Sequence, residues 1–430
     1  MIAITLLRDA LLDAPFALRI EGLEPGAPIR LCVRAETLKA RASAEFIADG
    51  AGTVDVAAHA PHAGDYEGVD AAGLLWSARF DDGADLISML AALTAGAPLT
   101  YSVAMESAGT EISRTVFTRR LVAADVQRTE VHDGRVRGTL FVPKGARAAP
   151  PVIVLGGSDG GNNFTFVAAL LAAHGFAALS LAYFAYEDLP TDLVELPLEY
   201  FADAIAWLRG RPEVAGARVG VLGMSRGGEL ALLLGATYPE VAAVAALVPS
   251  GVSLGGLGKD PAMMSRAAWT YAGEALPFLP PPMDAEAMQA VQRAFRERVP
   301  YAGTPGFERL LARAPELVER AAIPVERTRG AILLVSAQDD QIWPSTALAE
   351  VAMQRLRQAR FVYPFEHLSY PGAGHWGCLP PNLPTTRNWS LHPLVPLPLA
   401  YGGNARDTAT AAAAGWLRVV DFLRRNVAPG

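Results

Sequence analysis

Five short runs dominate the middle of this chain: PPVIVL, FAALSLA, RVGVLGM, VAAVAAL and GAILLVSA, all between residues 150 and 337. None shows the apolar/polar alternation of a half-exposed strand. Each is also too short for a buried helix, and Gly or Pro follows or flanks most of them. A strand that is apolar on both sides must be covered on both sides. Segments of helical character separate the runs. FTFVAALLAAHG follows the first, and LEYFADAIAWLRG presents Phe201, Ile205 and Leu208 on one face. Apolar strands alternating with helices predict an α/β fold with a mostly parallel sheet and helices on both faces.

The first 125 residues have a different texture. FALRIEGL, IRLCVRAET, GTVDVAAH, LTYSVAME and EISRTVFTRRLV are short, partly alternating and separated by turn formers such as EPGAP and APHAGD. That pattern predicts an antiparallel Ig-like β-sandwich. The expected division is a sandwich over residues 1–128 and an α/β domain over 129–430. Residues 252–325 interrupt the strand–helix alternation with a Pro cluster and a polar helix. They are expected to be either a lid over the site or a packed excursion. If a lid, its segment AAWTYAGEALPFLPPPM would wall the substrate pocket through Trp269 and Phe278; if an excursion, those side chains would pack on the sandwich.

Bulk properties exclude several functions. With 51% apolar and 19% charged residues the chain can bury a large core. A net charge of −7 lacks the basic footprint of a nucleic-acid binder. The two cysteines, Cys32 and Cys378, are too few for a disulfide framework or a metal-spaced cluster, so no metal is expected and a reducing compartment is. The N-terminal twenty residues show no charged segment followed by a clean apolar one, and no apolar stretch reaches a membrane span. The expectation is a cytoplasmic protein.

VGVLGMSRGGELALLLG, residues 219–235, carries Gly223-Met224-Ser225-Arg226-Gly227, a G-x-S-x-G motif between a strand and a helix. In that context the tight turn needs small flanking residues. It lifts the serine hydroxyl above the sheet, toward the open N–H groups of a helix N-terminus. A serine hydroxyl needs a base to become nucleophilic. Where a strand-to-helix elbow carries the serine, acid and base follow it in chain order. AILLVSAQDDQIWPS offers Asp339 and Asp340 just past a strand, and HLSYPGAGHWG offers His375 past another. Asp340 is favoured because D-x-x-x-P sets it at a loop tip before a helix, leaving Asp339 to hold the turn. The other six histidines, His59, His62, His132, His174, His367 and His392, are expected to be structural. For the oxyanion, the backbone N–H of Arg226 is one expected donor. The other is expected from GGSDGG, at Ser158 or Asp159. That loop lacks the glycine spacing and lysine of a nucleotide loop, and no cofactor is expected.

Long segments add a family resemblance. LAYFAYEDLP, LPLEYFADAIAWLRGRPEVAG, GVLGMSRGGELALLLG, IPVERTRGAILLVSAQDDQIWPS, YPGAGHW and YGGNARDTATAAAAGWLRVVDFL, with EGLEPGAPIRLCVRA and GLLWS nearer the start, make the chain similar to type I acyl-CoA thioesterases and bile acid-CoA:amino acid N-acyltransferases. The resemblance implies a sandwich followed by an α/β-hydrolase domain. It sets the nucleophile on Ser225, the acid on Asp340 and the base on His375, and implies an acyl thioester of coenzyme A as substrate. Serine at the nucleophile position is the thioesterase pattern; the acyltransferase branch carries cysteine there. The alternatives are a carboxylester hydrolase or peptidase with the same triad, an acyltransferase, and a catalytically silent binding module. The loop GGSDGG and residues 252–325 depart from the family pattern, so substrate choice does not carry over.

Overall fold

The computed structural model describes residues 2–214, 216, 218–395 and 397–427; the extreme ends of the two expected domains, residue 1 and residues 428–430, lie outside it. The five apolar runs supply five strands of one eight-stranded sheet among the described residues. Its strands are β1 (Val126–Asp133), β2 (Val136–Pro143), β3 (Pro151–Leu155), β4 (Ala177–Ala182), β5 (Val219–Met224), β6 (Val241–Leu247), β7 (Ala331–Ala337) and β8 (Phe365–Tyr370). Their spatial order is β1-β2-β4-β3-β5-β6-β7-β8. Strand β2 pairs antiparallel with both neighbours, and every pairing from β4 to β8 is parallel. This is the α/β-hydrolase order. Because β1 opens at Val126, the division expected after residue 128 falls inside a strand.

Both faces of the inner strands β3 to β7 are buried, for the period-two reason. In β3, Val152 and Val154 point into one core, while Ile153 and Leu155 point into another. Helices α1 (Thr165–Ala173) and α5 (Ala405–Asn426) cover the first face. Helices α2 (Leu198–Arg209), α3 (Arg226–Thr237) and α4 (Ser345–Gln358) cover the second.

Residues before β1 build two further sheets. One has three strands, Ala3–Leu6, Leu18–Glu21 and Val54–Asp55. The other is larger and centred on Pro28–Ala35, Ala40–Ile47, Leu99–Ser107 and Thr110–Arg120. Strand Pro28–Ala35 alternates exposed and buried along most of its length, as a one-sided sheet requires. The inward residues, among them Ile20, Leu31, Phe46 and Phe117, share one continuous core with α1 and α5. The sandwich therefore docks on the α1/α5 face of the hydrolase sheet. Asp13 anchors the seam. Its carboxylate accepts from Trp416 Nε1 at 2.8 Å and lies 2.6 Å from His174 Nε2.

Residues 252–325 are the packed excursion and not the lid, but Trp269 packs on the hydrolase sheet and not on the sandwich. Trp269 is fully buried on the α2 side of the hydrolase sheet, with ring centroids 6.1 Å from Tyr183 and 6.3 Å from Phe201. Val252, Leu254, Leu279 and Ala321 pack with Trp343 and Leu348 in a separate small core. The segment is a buttress of the hydrolase domain, held by apolar contacts that its sequence pattern did not reveal.

Candidate active site

All the sequence-designated residues follow the carboxyl ends of parallel strands, so the fold delivers them to one edge of the sheet. Ser225 follows β5, with backbone φ of 59° and ψ of −122°. That region is costly for a residue with a Cβ, on the order of 1–3 kcal/mol, and persists only where the surroundings enforce it. Here the surroundings are backbone. A Cβ on Gly223 would lie 1.9 Å from Gly227 O, and one on Gly227 would lie 2.2 Å from Gly156 O. The glycines of the motif thus let α3 start against the end of β3. Helix α3 begins at Arg226, and the Gly228 and Glu229 N–H groups both return to Ser225 O, at 2.9 and 3.1 Å. The Arg226 N–H, one position past the serine, has no acceptor among the described residues.

Asp340 follows β7 and His375 follows β8. Asp340 Oδ2 accepts from His375 Nδ1 at 2.8 Å, and both side chains are buried. The other carboxylate oxygen accepts the N–H groups of Ile342 (3.0 Å) and Trp343 (3.4 Å). A carboxylate only accepts, so the ring proton sits on Nδ1 and Nε2 remains free as a base. Trp343 meets the imidazole edge-on at 5.7 Å and Tyr401 stacks at 6.2 Å. Asp339 is turned away and holds the turn: its carboxylate accepts from Gln341 Nε2 at 2.8 Å and Gly403 N at 3.0 Å.

Ser225 and His375 line one narrow cavity together with Ser158, Asp159, Trp376 and His392. No residue of 252–325 lines it. Its outer wall comes instead from residues 376–401, through Trp376, His392, Leu399 and Tyr401. Residues 252–325 therefore do not wall this cavity, and the segment that does is fastened to the sandwich. Asn382 Nδ2 donates to Leu12 O and Ala14 O at 2.7 and 2.9 Å, and Thr386 Oγ1 to Ala78 O at 2.7 Å. Trp376 and Tyr401 also line an adjoining apolar cavity, whose far wall includes Trp76, Leu86 and Met89 of the sandwich module.

Residues 13–133 match the acyl-CoA thioester hydrolase/BAAT N-terminal region, and residues 196–429 match the BAAT/acyl-CoA thioester hydrolase C-terminal domain. The chain belongs to the acyl-CoA thioester hydrolase/BAAT family. Relatives match along nearly their whole length. Acyl-coenzyme A thioesterase 5 of Mus musculus is 31% identical over 96% of this chain and 94% of its own. Acyl-coenzyme A thioesterase 1 of Homo sapiens is 30% identical with the same coverages. The peroxisomal succinyl-coenzyme A thioesterase of Mus musculus is 29% identical, again over 96% and 94%. This family member is accordingly a hydrolase enzyme.

Three features of this member escaped the sequence reading. Gly157 is the glycine-loop residue against Ser225: a Cβ there would lie 3.3 Å from Ser225 Cβ. His392, expected to be structural, lines the cavity with its ring buried. Behind the elbow lies a buried ion pair, Arg226 Nη1 to Glu229 Oε2 at 3.2 Å. Glu229 Oε1 also accepts from Trp269 Nε1 at 2.7 Å and Leu254 N at 3.1 Å. Burial pushes the Glu229 carboxyl above its ordinary value, and the Arg226 guanidinium pulls it back. An i,i+3 Arg/Glu pair on the first turn of a helix was the one available signal, and such pairs normally face solvent. Among the described residues no group of three or more metal-ligating side chains occurs, and no helix is long and apolar enough to cross a membrane.

Proposed function

We propose that the protein hydrolyses acyl-CoA thioesters through Ser225, His375 and Asp340. The observation that carries this reading is the buried Asp340–His375 pair sharing a cavity with a serine held at positive φ. His375 Nε2 takes the Ser225 proton as the hydroxyl attacks the thioester carbonyl. Asp340 holds the ring in the required tautomer and stabilises the imidazolium. The oxyanion is met by the Arg226 N–H and by an N–H of the loop at Ser158 or Asp159. His375 then protonates the departing thiol. Water, activated by the same ring, releases the acid from the acyl-enzyme.

The acyl group occupies the apolar cavity between the sandwich and the hydrolase domain, past Trp376 and Tyr401. Its lining by Trp76, Leu86 and Met89 supports this. The sandwich thereby contributes to substrate choice. Serine as nucleophile favours water over an amine as acceptor, because an oxygen ester resists aminolysis better than a thioester. Two unpaired cysteines, one half-buried and one buried, fit a reducing compartment such as the cytoplasm.

The test is a turnover screen of acyl-CoA chain lengths beside p-nitrophenyl esters, with and without glycine or taurine. Release of free acid from the CoA esters, with mass spectrometry locating a trapped acyl group on Ser225, is the expected result. Turnover of simple esters alone would reassign the protein as a carboxylester hydrolase.

A further inference from the structure

His392 lies in the cavity wall, and its two nitrogens have different partners. Nδ1 lies 3.2 Å from the Leu394 backbone N–H, which can only donate, so Nδ1 accepts. The ring proton is therefore on Nε2. That nitrogen is 3.0 Å from Ser158 Oγ and 3.6 Å from Asp159 Oδ1, and only the first is within hydrogen-bond range. Ser158 consequently uses its oxygen as an acceptor from His392. Its own hydroxyl proton has no acceptor among the described residues, and the residue lines the same cavity as Ser225 and His375. A Cβ built on the preceding residue, Gly157, would lie 3.3 Å from Ser225 Cβ, so the glycine loop runs close past that serine. A clamped hydroxyl with an uncommitted proton thus lines the cavity that Ser225 and His375 line.

We propose that the Ser158 hydroxyl itself donates to the oxyanion of the tetrahedral intermediate, with His392 as the positioning residue that turns its proton into the cavity. This rests on the reading of Ser225 as nucleophile. No proton changes owner: Ser158 keeps its hydrogen throughout, and His375 alone carries the transferred proton. A donor pre-set by a buried ring needs no reorganisation as negative charge develops, which is where such donors exert most of their effect. The opposing interpretation is a tether, in which the His392–Ser158 contact merely fastens residues 389–400 to the glycine loop.

The two separate in kinetics. With an acyl-CoA substrate, Ser158→Ala should lower kcat by on the order of 10²-fold with KM changed by less than about threefold. Its affinity for an alkyl boronic acid, which forms a tetrahedral adduct on Ser225, should weaken by a similar factor, while affinity for the free fatty acid stays unchanged. Ser158→Thr keeps the hydroxyl and should recover most of the rate. His392→Ala should lower kcat in the wild-type background but not in Ser158→Ala, since the ring acts through the hydroxyl. If Ser158→Ala does not fold, Ser158→Cys decides, because a thiol is a weak donor of similar size. A kcat within about twofold of wild type in a folded Ser158→Ala or Ser158→Cys protein overturns the proposal. Ser225→Ala is assayed in parallel. If that variant still turns over, it is the Ser225 reading that has failed instead.

Discussion

Asp340 Oδ2 lies 2.8 Å from His375 Nδ1, while the adjacent Asp339 carboxylate binds the Gly403 N–H at 3.0 Å on the other side of the same turn. Two neighbouring acids therefore have separable duties. Asp340→Asn should reduce kcat by on the order of 10⁴-fold, because an amide facing Nδ1 favours the wrong tautomer. Asp339→Asn keeps one acceptor oxygen for the turn and should cost less than about tenfold. Steady-state kinetics on both variants check the ranking, and a reversed order would place the acid wrongly.

The apolar cavity beside the site, proposed to hold the acyl group, sets a second expectation. Met89, buried at 2% exposure on a helix of the sandwich module, faces the apolar cavity beside the site. Met89→Trp should shift the chain-length optimum toward shorter acyl-CoA esters. Trp269→Ala, on the far face of the sheet, should leave that profile unaltered and destabilise the fold by about 3–5 kcal/mol. Profiles of kcat/KM against chain length, with denaturant unfolding, separate the two effects.

Arg226 and Glu229 give a stability test that leaves Ser225, Asp340 and His375 intact. Glu229→Ala strands a buried guanidinium and should cost about 3–5 kcal/mol. The double variant Arg226→Met/Glu229→Met removes both charges and should be more stable than the single one. Urea midpoints measure this. A single variant no less stable than the double would show that the pair is not desolvated in solution.

His367 sets an expected pH dependence. Burial holds its pKa below the ordinary 6.5, as it does for His392. The folded chain thus binds fewer protons than the unfolded chain once pH falls below about 6.5, so stability declines from there downward. His367 Nε2 lies 2.8 Å from Ser336 Oγ, away from the site. His367→Gln removes the titration, so its loss of Tm between about pH 7.5 and 5.5 should be smaller than that of the wild type. Equal slopes would mean that other groups carry the acid sensitivity.

The local order of the site was legible in the sequence because each part depends on neighbours in the chain. A doubly buried strand must be apolar throughout, a nucleophile elbow needs Gly223 and Gly227, and D-x-x-x-P sets Asp340 ahead of a helix. The α/β order and the candidate residues follow from such short-range requirements. What faces the cavity was decided by the tertiary structure. His392 sits in a Pro-rich stretch with no periodicity to orient it, and its partner Ser158 is 234 residues away. Trp269 looked like a pocket wall because aromatic residues suit a pocket and a core equally, and the carboxylate of Glu229 settles which. Trp376, His392, Leu399 and Tyr401, which wall the site, lie in a Pro-rich segment whose regular structure is limited to the short pair Trp389–Leu391 and Pro398–Ala400, and whose position is set by contacts with Leu12, Ala14 and Ala78 of the other module. Local pattern fixes which side chains can do chemistry; long-range packing fixes which of them meet.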